Sequence, residues 1–389
     1  MALSEPTVII TEEHVILPQN DGINSEFKKM CIKGSLKEKG SGDEVKINEK
    51  GARVKRRKKR DKRPVKRILL FSLLLSQIIC LLERGVVLKS TGSRYRVLYD
   101  EENIIECSIK GKLRIKEFRT TNPIAVGDNI LFERDSKTNS GIITEVLDRR
   151  NWILRKASNL SKHSQILAAN IDQVFLMITI ILPETPVEFI DRFLITAEAY
   201  RVPAKIIINK TDLYGNEELA KMEYLESIYS NIGYDCIRLS LKEMKNIEAL
   251  KRLMIGKTSL ISGNSGVGKT TLLNAFNPLL NLKTAEISDY HKQGKHITTF
   301  PEMHKLPFGA FVIDTPGIKG FGVVDMERNE IYHFFREIFE KSKECRFNNC
   351  LHLDEPGCAV RSAVEKGEIA FLRYRSYLNI MDGDNGKYR

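Results

Sequence analysis

The chain has 389 residues, of which 42% are hydrophobic and 29% charged, with seven cysteines and a formal charge of +12. This composition excludes a disulfide-framed miniprotein, a collagen-like or wholly disordered chain and a multi-span membrane protein, and the length suggests two to four domains at roughly 100–200 residues each. An odd cysteine count fits a reducing, cytoplasmic setting, and the positive charge points to an anionic partner.

Much of that charge lies in residues 1–83, which hold 18 Lys+Arg against 11 Asp+Glu. They show no sustained helical or strand periodicity and are expected to be a disordered extension. From Arg53 to Arg67, eleven of fifteen residues are basic, and the apolar stretch Ile68 to Leu82 follows. At fifteen residues it falls short of the ~20 that a spanning helix needs. It reads as sequence translated from upstream of the natural start, as a tethering or targeting extension, or as a buried helix behind a basic RNA-binding arm.

From Arg84 the texture changes to short alternating runs: GVVLKS, RYRVLYD, NIIECSI, KLRIKEF, then Val126-Gly127-Asp128-Asn129-Ile130 and GIITEVL. Strands at this spacing predict a small β-barrel or sandwich of five or six strands over 84–150. The lone tryptophan, Trp152, sits among basic and amide neighbours, where it could stack on a base or pack at a domain junction.

Residues 151–325 alternate strand and helix patterns. Strands are predicted at Val174–Ile181, Ala204–Ile208, Cys236–Leu239, Ser259–Ser262 and Ala310–Ile313, and helices at Val187–Tyr200, Asn216–Tyr229, Ile247–Met254 and Lys269–Phe276. That order predicts a mostly parallel α/β sheet.

Within it, Gly263-Asn264-Ser265-Gly266-Val267-Gly268-Lys269-Thr270-Thr271 carries G-x-x-x-x-G-K-[ST] between a strand and a helix. Glycines let backbone N–H groups surround phosphate oxygens, Lys269 reaches the outer phosphates and Thr270 can hold Mg²⁺. Asp314-Thr315-Pro316-Gly317 gives D-x-x-G after a strand, with Asp314 a second Mg²⁺ group and Gly317 a γ-phosphate sensor. Asn209-Lys210-Thr211-Asp212 reads the base. A carboxylate at Asp212 accepts from the guanine N1–H and exocyclic amine and rejects adenine, while Asn209 and the Lys210 stem hold the base from its other sides. Ser240, after the next strand, is a weaker candidate for a base-contacting loop through its backbone.

N-K-x-D here precedes the phosphate loop by 54 residues, the reverse of ordinary GTPases, so the domain reads as circularly permuted. Ile318 stands where a water-orienting Gln is common, which implies slow intrinsic hydrolysis. In Gly294-Lys295-His296-Ile297-Thr298-Thr299, His296 is a candidate for orienting water, and Thr298 or Thr299 for sensing Mg²⁺.

The tail, 326–389, is polar and helical around Cys345, Cys350, His352 and Cys358. Three thiols and an imidazole suit a closed, structural Zn²⁺ site. Beyond it, Arg361, Lys366, Arg373, Tyr374, Arg375 and Tyr377 are expected on one helix and could contact RNA or form a solvated face over buried rings.

Together these motifs resemble the ribosome small-subunit-dependent GTPase A family (RsgA, also called YjeQ). The likeness spans about residues 84–380, including Thr121-Asn122-Pro123, Arg150-Asn151, NKTD, GNSGVGKT, GKHITT, DTPG and the Cys/His cluster. The resemblance implies three domains: an OB-type β-barrel, a circularly permuted P-loop GTPase and a mostly helical zinc-binding domain. It also implies GTP hydrolysis stimulated by the 30S subunit during late maturation, contacts with 16S-type rRNA, and His296 as the catalytic histidine. Ile297 departs from the family's usual Thr, and nothing in the family corresponds to residues 1–83. A monomer without a stable membrane partner is expected. The alternatives are a membrane-tethered GTPase using the apolar run, and a nucleotide-gated RNA-binding module with incidental hydrolysis.

Overall fold

A computed structural model of the chain describes residues 9–10, 15–16, 46–48, 51–53, 82–109, 124–135, 139–155, 165–282, 301–314 and 326–382. The chain divides into two units, Met1–Leu75 and Ser76–Arg389. In the first, β1 (Ile9–Ile10) pairs antiparallel with β2 (Val15–Ile16), and β3 (Lys46–Asn48) with β4 (Gly51–Arg53). The apolar run short of Leu82 and the strand expected at 112–118 lie outside the described residues.

The second unit opens with β5 (Leu82–Ser90), β6 (Tyr95–Tyr99), β7 (Asn103–Ile109), β8 (Asn129–Asp135) and β9 (Ser140–Val146). Their order is β5-β6-β7-β9-β8, and β8 pairs back onto β5 to close the barrel. Among the described barrel strands the β7–β9 pair alone is parallel, giving a five-stranded OB arrangement of the kind the resemblance implies. Strand alternation fills it: Val87, Tyr95, Val97, Ile105, Cys107, Ile130, Phe132 and Ile143 face one core.

A strand pair, β10 (Trp152–Arg155) with β11 (Gln165–Ala169), leads out of the barrel, with Trp152 half-buried opposite Ala169. The junction is polar and tightly specified. Arg149 donates to both Asp128 oxygens at 2.6 Å, Asp128 Oδ2 accepts from Ala125 N, and Asn170 Nδ2 donates to Gly127 O. Gly127 has φ +88°, and a Cβ there would lie 2.2 Å from Ala169 O. These contacts explain why Val126-Gly127-Asp128 and Arg149-Arg150-Asn151 stand out in the sequence.

The central sheet comprises β12 (Gln173–Ile178), β13 (Ala204–Ile208), β14 (Asp235–Arg238), β15 (Thr258–Ser262), β16 (Glu302–Leu306) and β17 (Ala310–Asp314). Spatially it runs β14-β13-β12-β15-β17-β16, parallel except for β16. Helices α1 (Val187–Ala199) and α2 (Asn216–Asn231) cover one face, α3 (Ile247–Met254) and α4 (Lys269–Phe276) the other. Successive residues of β12 therefore enter opposite cores, Val174, Leu176 and Ile178 on one side and Phe175 and Met177 on the other. That double burial is why its sequence is an unbroken apolar run rather than an alternating one. The predicted strands and helices all form, within three residues at their ends. The sequence reading did not anticipate β16, whose polar Glu302, His304 and Lys305 mask a strand. It bridges to the barrel, since Glu302 pairs with Lys89 of β5 and barrel and sheet share one eleven-stranded sheet.

The C-terminal region packs α5 (Arg336–Ser342), α6 (Ala359–Glu365) and α7 (Phe371–Met381) around Phe335, Ile338, Val360, Tyr377 and Ile380. Here the residues expected on one helix divide between α6, with Arg361 within it and Lys366 at its end, and α7. Arg373 is 1% exposed, Tyr374 9% and Tyr377 0%. Arg373 donates to Asp191 of α1 at 2.6 Å and to both oxygens of Glu337 at 2.7 and 3.1 Å, tying α7 to the central domain. Arg375 remains partly exposed, 3.5 Å from Glu188.

Candidate nucleotide site and metal centre

Every described nucleotide motif lies at the carboxyl end of a parallel strand: 209–212 after β13, Ser240 after β14, 263–270 after β15 and Asp314 at the end of β17. In an open α/β sheet this is the edge where ligands bind. Permutation moved the chain ends while leaving those strand ends side by side.

The phosphate loop turns on Gly263, Gly266 and Gly268, all at positive φ, before α4 begins at Lys269. A Cβ on Gly268 would come within 2.5 Å of Asn209 Nδ2, so only glycine lets the base-reading loop approach this closely. Val267 is buried and anchors the loop to the core, while Asn264, Thr270 and Thr271 are partly or fully exposed beside Ser265 and Gly266. Lys269 Nζ donates to Gly263 O and Asn264 O, each at 2.7 Å. Burial pushes its pKa down and nearby Asp314 pushes it back up. Burial raises the carboxyl pKa of Asp314, with His304 and Lys269 opposing. This is a compact acid–base arrangement suited to an anion with its accompanying cation.

The base loop is fixed by its own side chains and by Tyr214, which the sequence reading did not assign. Asn209 Nδ2 donates to Val267 O at 2.8 Å, tying base loop to phosphate loop. Tyr214 Oη accepts from Ile180 N at 2.9 Å and donates to Asn209 O. Lys210 is in the left-handed region at φ 64° and donates through Nζ to Leu182 O; burial lowers its pKa and Asp212 raises it. Ser240, expected near the base through its backbone, also donates its hydroxyl to Asp212 Oδ1 at 2.7 Å and is itself fully buried. One Asp212 oxygen is thus oriented from below. The signal was present in the sequence, a small hydroxyl just past the strand after N-K-x-D, but its side-chain role depends on β13 and β14 being neighbours. His296, Thr298, Thr299 and Gly317 lie outside the described residues.

In the C-terminal region, ligand atoms of Cys345, Cys350, His352 and Cys358 all lie within 4.8 Å of one another. His352 Nδ1 is 3.6 Å from both Cys345 Sγ and Cys358 Sγ. Burial lowers the His352 pKa, favouring the neutral imidazole that binds cations. Outside this ring, Glu355 accepts from Leu351 N and Leu353 N. Tyr374 and Tyr377 donate to His352 O and Leu351 O, each at 2.6 Å. The two tyrosines therefore brace the cluster's backbone. Such a preformed Cys₃His arrangement can hold a metal ion.

Comparison with known proteins agrees with this layout. The chain matches the family model described as RsgA GTPase over residues 146–324, and that of the RsgA N-terminal domain over 84–143. It is 53% identical over 308 residues to the small ribosomal subunit biogenesis GTPase RsgA of Christiangramia forsetii, covering 79% of this chain and 98% of that one. The protein of the same name from Flavobacterium johnsoniae is 53% identical over 307 residues, 78% of this chain and 94% of that one. Among solved structures, YjeQ from Thermotoga maritima superposes with a TM-score of 0.65 at 37% identity, covering 79% of this chain and all of that one. YloQ, described as a circularly permuted GTPase, superposes with a TM-score of 0.61 at 29% identity, covering 78% of this chain and 94% of that one.

Proposed function

The chain belongs to the RsgA GTPase family and is a GTP-hydrolysing enzyme, and from that premise we propose that it acts on the small ribosomal subunit late in maturation, binding rRNA through its barrel and C-terminal domain and leaving after hydrolysis. The observation that carries this reading is the convergence of Asn209, Asp212, Lys269 and Asp314 on one sheet edge between a β-barrel and a Cys₃His domain. The named role of the relatives supports the ribosomal partner, and a cytoplasmic setting follows from that role.

Each part has a task. Backbone N–H groups of the 263–268 loop and the start of α4 would receive the phosphates, with Lys269 swinging from its loop carbonyls to the outer oxygens. Asp212, oriented by Ser240, accepts from the guanine N1–H and amine, and an adenine would leave that carboxylate unpaired. Thr270, Asp314 and Thr298 or Thr299 are the groups that would hold the Mg²⁺ accompanying GTP, with Gly317 sensing the γ-phosphate. His296 would orient the attacking water, a task that Ile318 cannot perform. Purified enzyme with GTP is expected to turn over slowly alone and many-fold faster with added 30S particles, to lose that stimulation as His296→Ala, and to leave ATP untouched. Turnover indifferent to 30S particles would sink the ribosomal reading.

For the metal, Zn²⁺ is the best fit. A tetrahedral site with Zn–S near 2.3 Å and Zn–N near 2.0–2.1 Å places sulfur and nitrogen about 3.6 Å apart, the separation found here. Four protein ligands leave no open position, so the ion's contribution is structural. Elemental analysis is expected to return about one zinc per chain and to lose it on Cys358→Ser; a metal-free, folded parent enzyme would contradict the assignment.

A further inference from the structure

The same strand register that closes the central sheet places two carboxylates face to face. Glu302 of β16 is the direct partner of Asp314 of β17 and, on its other side, of Lys89 of β5. Directly opposed side chains on neighbouring antiparallel strands have Cβ atoms about 4.5–5.5 Å apart, and like charges there repel. The fold eases the conflict by pairing Glu302 with cations of the barrel. Glu302 takes Lys89 Nζ at 2.7 Å and Arg96 Nη1 at 3.0 Å, both from the barrel. Asp314 has the charge of Lys269 of the phosphate loop nearby, while His304, two residues along β16 and on the same face as Glu302, is pushed by burial toward its neutral form.

We propose that Glu302 is a positioning residue for the magnesium side of the nucleotide pocket, its charge neutralised by Lys89 and Arg96, so that barrel seating sets the field at Asp314 and the cation beside it. This rests on the Mg²⁺–GTP reading given above. Glu302 also lies three residues beyond Thr299, at the end of the segment expected to sense that cation. A phosphate-rich partner that draws Lys89 and Arg96 away would unmask a full negative charge beside Asp314. The pocket would then hold a divalent cation more tightly. Contact at the barrel would thereby be reported at the hydrolytic end of the site without any rearrangement of the phosphate loop.

The test titrates Mg²⁺ against binding of a fluorescent GDP analogue to the full chain. Removing both cations with Lys89→Met and Arg96→Met is expected to lower the half-saturating Mg²⁺ by roughly three- to tenfold. Adding Glu302→Gln to that pair should return it to within about twofold of the parent, because the unmasked charge is gone. Should the double variant fail to fold, Arg96→Met alone keeps the Lys89 pair and is expected to shift the midpoint by about twofold in the same direction. An unchanged midpoint in the folded variant, or a shift that persists after Glu302→Gln, overturns the proposal. If the parent itself binds the analogue without regard to Mg²⁺, the magnesium reading of the site fails instead.

Discussion

Lys269→Ala is expected to lower kcat/KM for GTP by about a thousandfold or more, the cost of removing the principal cation from a phosphoryl-transfer site, while leaving the thermal midpoint nearly unchanged. The two halves of that expectation have separate causes. The ammonium is held between Gly263 O and Asn264 O within its own loop. Burial works against its charge, and Asp314 only partly offsets this. Such a group contributes little net stability, since taking a charge out of water offsets most of what two hydrogen bonds return. Its value lies in being already dehydrated and aimed when a triphosphate arrives. Lys269→Arg is not a conservative control, because the planar guanidinium does not fit a cradle shaped for a point charge. Stopped-flow binding of a fluorescent GTP analogue, alongside turnover and a melting curve, checks both halves. A variant that binds and hydrolyses within tenfold of the parent would show that the 263–270 loop is not the phosphate site.

The same comparison explains what the sequence could and could not disclose. The phosphate loop, N-K-x-D and the Cys/His cluster are contiguous or nearly so, and their chemistry is fixed by backbone shape and ligand type within a few residues. The apolar run of β12 and the strand patterns of β6 and β7 were likewise readable, because burial on two faces or on one leaves different periods. What stayed hidden depended on neighbours distant in sequence. Ser240 becomes the support of Asp212 only through the adjacency of β13 and β14. Glu302 acquires its setting from a strand more than two hundred residues earlier. His304 proves to lie on β16 opposite Val312, with the charge of Asp314 among those acting on its imidazole. The basic and aromatic residues of α7 left two readings open for a related reason. Composition cannot distinguish an arginine that meets phosphate from one that meets buried carboxylates, and only packing against α1 decides it.

That arginine carries the second large effect. Arg373→Met is expected to weaken the docking of the C-terminal domain by about 3–5 kcal/mol, the usual consequence of stranding a buried partner charge. Asp191 is completely buried and Glu337 nearly so, and Tyr229 Oη donates to the same Asp191 oxygen that Arg373 uses. Burial pushes the Asp191 carboxyl pKa up, opposed first by Arg373, so without the guanidinium this carboxyl must take up a proton or draw in water. The guanidinium also lies 4.6 Å over the Phe335 ring, so its plane is held as well as its charge. Since a multi-domain chain does not unfold in one step, the measurement is amide hydrogen exchange. Protection of α7 and α5 should fall by about two to four orders of magnitude, the equivalent of that free energy, with β6 and β8 of the barrel unaffected. Adding Asp191→Asn and Glu337→Gln to Arg373→Met should recover most of the loss, because replacing a buried ionic network whole is far less costly than breaking it. If Arg373 served RNA instead, the variant would keep full protection and lose only affinity for the 30S particle. The burial of all three charges makes that outcome incompatible with this fold, and the hydrogen-exchange experiment separates the two without any ribosome present.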